Sequence, residues 1–534
     1  MSSQDYHLSG ILNKVAKENK GFFVGYVILT ILFQLCWVFS PYTFSMLIDQ
    51  KQIFSRYIII PVVIFITGYA LEYCCDVLDY YFTERLNARV TEWSTERLFN
   101  SFKRRFATSS MTDGIASINR LSQTCAHTFR DGRIFVMGLV FASIVCISFL
   151  FFINKYLGIY LLTTVLCLLG LFGVFIYRAI KLTSTTEFNR DRMLDNINDI
   201  LVNMPSVYGN NQVENELNRI KTGCSNLETS SKIAQKTIQS VRIGINIFYI
   251  VIVAGLFLLS AYLYKKEILS TGILATIVMI TMYMIYNFDE LSINSGNLIR
   301  NIGQLIHTQK FLDQLQIYED MNPDGLSAVP PVDGSIVVNN ISVILTENVV
   351  LRNLSIDIRP GEVILLTGRN GSGKSTLMKA IFGALPYSGS ILLGGQEIRD
   401  MQASVLRSNI TYVPQIPTLF NRSVYENISY GNGATREEVI SIMDDFGINF
   451  LSLDDIIGNT HLSGGQQQLI YLLRACLHKK STIILLDEPT SALDTKTRDK
   501  AMLMIQSLLQ GRTAIIISHD DDLIRYSTRT ITLG

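Results

Sequence analysis

Charge is what this chain has little of: 17% of its 534 residues are Asp, Glu, Lys or Arg, against roughly a quarter in soluble domains. With 48% of residues hydrophobic, disordered, fibrous and disulfide-scaffold classes are excluded and a membrane protein is indicated. Neither sign dominates, since 46 Lys and Arg face 45 Asp and Glu. No global field draws the chain to nucleic acid or anionic surfaces, and no nucleic-acid partner is expected. Paired cysteine motifs are also lacking. The eight cysteines form no Cys-x-x-Cys and no paired spacing with His, so neither a zinc site nor a redox motif is signalled.

The apolar residues are unevenly spread. Six stretches of spanning length, about 22–47, 57–80, 134–153, 157–177, 243–263 and 272–291, precede residue 292, where roughly 20 apolar residues suffice to cross a bilayer as a helix. The first is too long for a signal peptide and five more follow, so the N-terminus is expected to be retained. The long stretches 84–133 and 178–242 carry nine Lys and Arg each, whereas the three short connections carry two, one and two. The positive-inside bias therefore places the N-terminus and both long loops in the cytosol, and their helical periodicity makes them extensions of the spans. A transmembrane domain of six helices is expected over 1–313 and a turn-rich linker over 314–332, where Pro323-Asp324-Gly325 and Pro330-Pro331 fall. From 333 to 534 short Ile, Val and Leu runs alternate with amphipathic helices, the mark of an α/β domain. The fold class is thus multi-domain: an all-α six-helix transmembrane domain followed by a domain that the glycine-rich run 368–376, set between an apolar strand and a helix, makes an α/β P-loop nucleotide-binding domain.

That second domain carries chemistry. The apolar strand ending at Leu366 leads into Gly368, Arg369, Asn370, Gly371, Ser372, Gly373, Lys374, Ser375 and Thr376, and then into a helix. Glycines in that strand-loop-helix context let backbone N–H groups close around phosphates, with Lys374 reaching the β- and γ-phosphates and Ser375 ligating Mg²⁺. A second strand, Ile483 to Leu486, ends in Asp487 and Glu488, one carboxylate placed to hold Mg²⁺ and the other to activate water. Upstream, Leu462-Ser463-Gly464-Gly465-Gln466 opens a helix as another anion cradle, which makes sense if it serves the nucleotide of another subunit.

Taken in order, these motifs resemble those of half-size ATP-binding-cassette (ABC) exporters, including bacterial peptide and antimicrobial-peptide exporters. The resemblance implies ATP and Mg²⁺ as cofactors and makes Gly368 to Thr376 the Walker A loop. It also makes Gln415 the Q-loop glutamine and a metal ligand beside Ser375 and Asp487, Leu462 to Gln466 the signature, Asp494 part of the D-loop, Glu488 the catalytic base and His519 the switch histidine. It further implies a homodimer that closes head to tail on two ATP molecules and exports cargo across the cytoplasmic (inner) membrane. Short coupling helices are expected near Ser109 to Gly114 and Pro205 to Asn211. One departure stands out: the aromatic that usually stacks on adenine is replaced, at Val343 and Leu345.

For the cargo, Glu72, Asp76 and Asp79 lie at i, i+4 and i+7 on one helical face, and Asp289 and Glu290 sit late in the sixth span. Intramembrane acids are candidates for a substrate cavity that favours a cationic group, unless the helices have already reached water there. Fewer than about 22 residues precede the first span, too few for a fused peptidase. A small modified or antimicrobial peptide is the expected cargo, with a lipid or a drug as alternative, and an ATP-gated channel or regulatory subunit as the reading of another class.

Overall fold

The structure is a computed structural model that describes residues 8–50, 56–101, 111–319, 326–345, 348–459, 462–491, 493–518 and 520–533. The chain divides into two compact units. The first is wholly helical: α1 (Leu8–Glu18), α2 (Lys20–Asp49), α3 (Ile59–Ser101), α4 (Met111–Phe135), α5 (Ala142–Ile153), α6 (Lys155–Val202), α7 (Met204–Gly209), α8 (Val213–Lys265) and α9 (Thr271–Glu319). Among the described residues, α2, α3, α8 and α9 are each long and apolar enough to cross a membrane, and Ala142–Ile153 and Lys155–Leu168 are shorter apolar helical stretches. The stretch expected as a third span, 134–153, includes a π-helical turn at Val136–Phe141 between α4 and α5.

Most of each span's surface is not covered by the chain itself, as Ile28, Ile66, Ile250 and Leu258 illustrate, all more than half exposed. Apolar faces left bare on this scale suit a lipid or protein neighbour rather than water. The interior is packed from α2, α5, α6, α8 and α9, with Leu150, Leu157, Leu161, Ile252 and Ile277 fully buried. At the second expected coupling segment, α7 forms a short helix with no buried residue. At the first, Ser109 and Ser110 lie outside the described residues. The last helix runs to Glu319, so residues 314–319 are helical and not linker as expected. The turn signals begin only at Asn322-Pro323, and the residue before a proline, not the ones several places earlier, is biased out of the helix.

The second unit builds an antiparallel sheet and a parallel one. Its strands are β1 (Ile336–Leu345), β2 (Asn348–Ile358), β3 (Val363–Gly368), β4 (Ser388–Leu393), β5 (Gln396–Glu397), β6 (Ile410–Val413), β7 (Ile483–Asp487), β8 (Thr513–Ile517) and β9 (Arg529–Leu533). The antiparallel order is β2-β1-β4-β5 and the other is β6-β7-β8-β3-β9, in which every pairing is parallel. Between them run α10 (Lys374–Ile381), α11 (Ala403–Ser408), α12 (Val424–Ile428), α13 (Arg436–Asp445), α14 (Gly464–Leu477), α15 (Thr495–Leu509) and α16 (Asp521–Ile524). Strands β7 and β8 are buried at every residue, which is why they read as unbroken Ile and Leu runs instead of alternating ones.

Within the first unit a buried cluster ties three helices. Arg133 at the end of α4 donates from Nη2 to Asp79 of α3 at 2.7 Å and from Nη1 to the Tyr26 hydroxyl of α2, with its guanidinium over the Tyr26 ring. Asp79 is only 5% exposed. Removing one partner of a buried pair strands the other charge, at about 3–5 kcal/mol, whereas removing both costs much less. Asp79→Ala is therefore expected to lower the melting temperature of the purified protein more than Asp79→Ala combined with Arg133→Met. Equal losses would show that the pair stabilises nothing beyond its packing.

Candidate nucleotide-binding site

The carboxyl ends of β3, β6, β7 and β8 face the same edge of the parallel sheet, the usual position for ligands in such sheets. From β3 the chain passes through Gly368, Gly371 and Gly373 at φ of 145°, 82° and 91°, left-handed conformations that side chains resist. At Gly373 a Cβ would strike Leu351 and at Gly368 it would strike the Leu533 carbonyl, so bulk is excluded as well as strain. The loop closes on itself: Lys374, 8% exposed, donates from Nζ to the carbonyls of Gly368 at 2.8 Å and Arg369 at 3.0 Å. The Ser372 hydroxyl is buried without a hydrogen-bond partner among the described residues.

A buried cation over a loop, an orphaned hydroxyl and the uncapped N–H groups of the first turn of α10 together fit a phosphate chain. Among the described residues no side-chain hydrogen bond of Arg369, Asn370 or Thr376 bears on that fit.

Asp487 ends β7 with both carboxylate oxygens engaged. Ser375 donates to Oδ1 at 3.1 Å and the Tyr412 hydroxyl to Oδ2 at 3.4 Å. Burial pushes the Asp487 carboxyl above its ordinary range, which the Ser375 hydroxyl only partly offsets. The same burial, reinforced by the charge of Asp487, raises the Tyr412 phenol. A hydroxyl and a carboxylate in contact suit Mg²⁺, which keeps most of its ligands as water and phosphate. Mg²⁺ would be held by Ser375 and Asp487.

Next to it, Glu488 adopts φ of 49°, costly for a residue with a side chain and typical of functional sites. Its backbone N–H donates to Ile517 of β8 at 2.9 Å, and its carboxylate accepts from Gln415 Nε2 at 2.8 Å. Gln415, Glu488, Asp487, Ser375 and Lys374 are thus gathered along one edge.

The signature residues stand apart. Ser463 caps α14 through a reciprocal box: its hydroxyl accepts from the Gln466 N–H at 3.2 Å and the Gln466 side chain accepts from the Ser463 N–H at 3.0 Å. Gly464 is exposed and Gly465 buried, and no hydrogen bond joins any of the four to the phosphate loop among the described residues. Asp494 caps α15, accepting from the Thr497 N–H at 2.9 Å. His519 lies outside the described residues. Val343 is fully buried in the domain core and unable to stack on a base, and the Leu345 side chain lies outside the described residues.

Sequence reasoning missed two participants. Tyr412 was visible only as part of the strand before Gln415. Arg498 on α15 holds Asp520, the residue after His519, from Nε at 2.9 Å and from Nη2, and reaches Asp522 at 2.9 Å. Thr490 donates to the same Asp520 carboxylate at 3.1 Å. Burial alone would raise the Asp520 carboxyl, but these donors hold it below its usual range. Glu488, Thr490, Ser491, Arg498, Ser518 and Asp520 line a cavity of about 460 Å³.

Of the five acids read as candidates for a substrate cavity, Glu72 and Asp76 line one in the first unit. Asp79 is instead held by Arg133, and Asp289 and Glu290 are exposed, Glu290 accepting from Asn294 at 2.9 Å.

An acid whose pKa is higher folded than unfolded loses its proton first in the unfolded chain, so stability falls as pH rises through that interval and the penalty persists at neutral pH. Asp487→Asn is expected to raise the melting temperature of the nucleotide-free protein at pH 7 while abolishing the extra stabilisation that Mg²⁺ adds to ATP. A lower nucleotide-free melting temperature would mean that Asp487 is not a strained charge.

The ABC transporter family matches residues 351–491. The ATP-dependent lipid A-core flippase of Syntrophus aciditrophicus is 37% identical over 220 residues, 39% of this chain and 36% of that protein. The heavy metal tolerance protein of Schizosaccharomyces pombe is 29% identical over 428 residues, 74% of this chain and 49% of that protein. The matched segment thus spans half or less of these curated relatives. A bacterial Atm1-family ABC exporter with ATP bound superimposes with a TM-score of 0.83 at 19% identity, over 97% of this chain and 94% of its own. Residues 351–491 are therefore an ABC transporter ATP-binding domain, and the whole chain is a multi-pass membrane protein with the fold of a half-size ABC exporter.

Proposed function

We propose that this chain works as a homodimeric ATP-driven exporter in the cytoplasmic membrane. The observation that carries this reading is the split of the site: one edge of the parallel sheet gathers Lys374, Ser375, Asp487, Gln415 and Glu488, while among the described residues the anion-ready start of α14 has no bond to it. A second copy whose α14 faces this edge completes both sites at once. In that arrangement Lys374 and the loop amides hold phosphate oxygens, and Glu488 takes the proton of an attacking water that the Gln415 amide helps to place. Mg²⁺, when bound, neutralises charge developing on the phosphates.

Ser463 spends only acceptor capacity on its cap, and among the described residues its O–H has no acceptor, which suits donation to the nucleotide of a second copy. A membrane-embedded lipid, as the flippase relative's name suggests, and a small peptide are both open as cargo.

In proteoliposomes, Glu488→Gln should cut ATP hydrolysis by roughly two to four orders of magnitude, the usual worth of a general base, and abolish cargo accumulation without loss of ATP binding. ATP-dependent ionic current without accumulation would instead identify a gated channel. Arg498→Ala, which frees Asp520 beside His519, should lower kcat by roughly one to two orders of magnitude with KM for ATP unchanged, and Arg498→Lys, lacking the guanidinium fork, should recover only part of it. A rise in KM alone would place Arg498 in nucleotide binding.

A further inference from the structure

A cavity of about 860 Å³ opens among α2, α3 and α9 within the first unit. Its walls are aromatic: Trp37 stacks on Tyr283 with ring centroids 5.3 Å apart and planes 10° from parallel, and meets Tyr69 and Phe65 edge-on, each at 5.2 Å. Among the described residues its charged lining residues are Glu72 and Asp76, and no Lys, Arg or His lines it. These two carboxylates stand one helical turn apart, about 6 Å along the axis. Neither has an ion pair or hydrogen bond among the described residues, whereas Asp79, one turn further on the same face, is paired with Arg133. Toward the other end Phe44, Val62 and Pro61 make the cavity apolar.

An unpaired carboxylate in a membrane-spanning helix is expensive and is retained where a ligand or water path meets it. Ring faces beside it attract a cation through their quadrupoles, most strongly when the cation is a bulky, weakly hydrated organic one. A metal ion would need further oxygen, nitrogen or sulfur ligands, and the described residues hold no group of three metal-ligating side chains. A lipid whose head group carries no cationic nitrogen would leave the two acids unanswered.

We infer that this cavity binds an amphipathic organic cation, its positive head between Glu72 and Asp76 against the Tyr69 ring and its apolar body along Trp37 toward Phe44. The assignment names the cargo class of the exporter proposed above and rests on that reading for transport, though not for binding.

Tetraphenylphosphonium and tetraphenylborate have the same shape and opposite charge. Their binding to the full-length protein in nanodiscs, without nucleotide and corrected against empty nanodiscs, isolates the charge preference from apolar partitioning. The wild type should favour the phosphonium by roughly tenfold or more. Glu72→Gln with Asp76→Asn should bring the ratio to about one, and each single substitution should give an intermediate ratio. A wild-type ratio near one overturns the assignment. So does a double variant that keeps the preference, or one that loses both ions while the single variants behave as wild type. Glu488-dependent ATP hydrolysis in the same nanodiscs is read separately, so a charge preference without hydrolysis sinks the exporter reading and spares the cavity, and hydrolysis without the preference does the reverse.

Discussion

Everything chemical in the second unit depends on the parallel register of four strands. Val413 pairs with Leu486, Asp487 with Ile517, and Leu365 with Ile516, so β6, β7, β8 and β3 deliver their loops to one edge. The register is held by burial on both faces, where each fully buried Ile or Leu contributes on the order of 1.5–3 kcal/mol and a slip of one residue would carry Asp487 to another level of the edge. Against that rigid frame the costs of the site are affordable: a carboxylate buried at the end of β7, a lysine folded over carbonyls, and a left-handed Glu488.

The same frame explains which functional residues were legible. The phosphate loop, the Asp487-Glu488 pair and the signature are local, with glycines and a helix start within a few residues of one another, so their spacing alone carried the meaning. Tyr412 and Arg498 act across sequence separations of 75 and 22 residues, and nothing near them marks the partner. Asp79 is the sharper case. Its spacing from Glu72 and Asp76 put all three on one face of α3, yet Arg133, 54 residues away, gives it a different fate. Periodicity shows which side of a helix a residue occupies but not which helix comes to meet it.

The helical unit was legible in another way. Hydropathy gave the apolar stretches because burial in lipid needs only length and composition. Where each helix would end was not encoded in that signal: α3, α6 and α9 run on past their apolar segments and α8 starts well before its own, because each residue added to a started helix brings its own backbone hydrogen bond.

The two units share a logic of incompleteness. In the second, α14 presents a capped N-terminus with exposed Gly464, and no described residue supplies an anion to it. In the first, α3 presents two carboxylates beside a set of aromatics, and no described residue supplies them a cation. A fold that satisfied these groups internally would be more stable, since unpaired polar and charged groups are among the costliest features a protein keeps. Their counterparts differ in kind: for the first, a second copy carries the complementary edge, whereas for the second the group inferred to meet Glu72 and Asp76 is a separate, positively charged ligand.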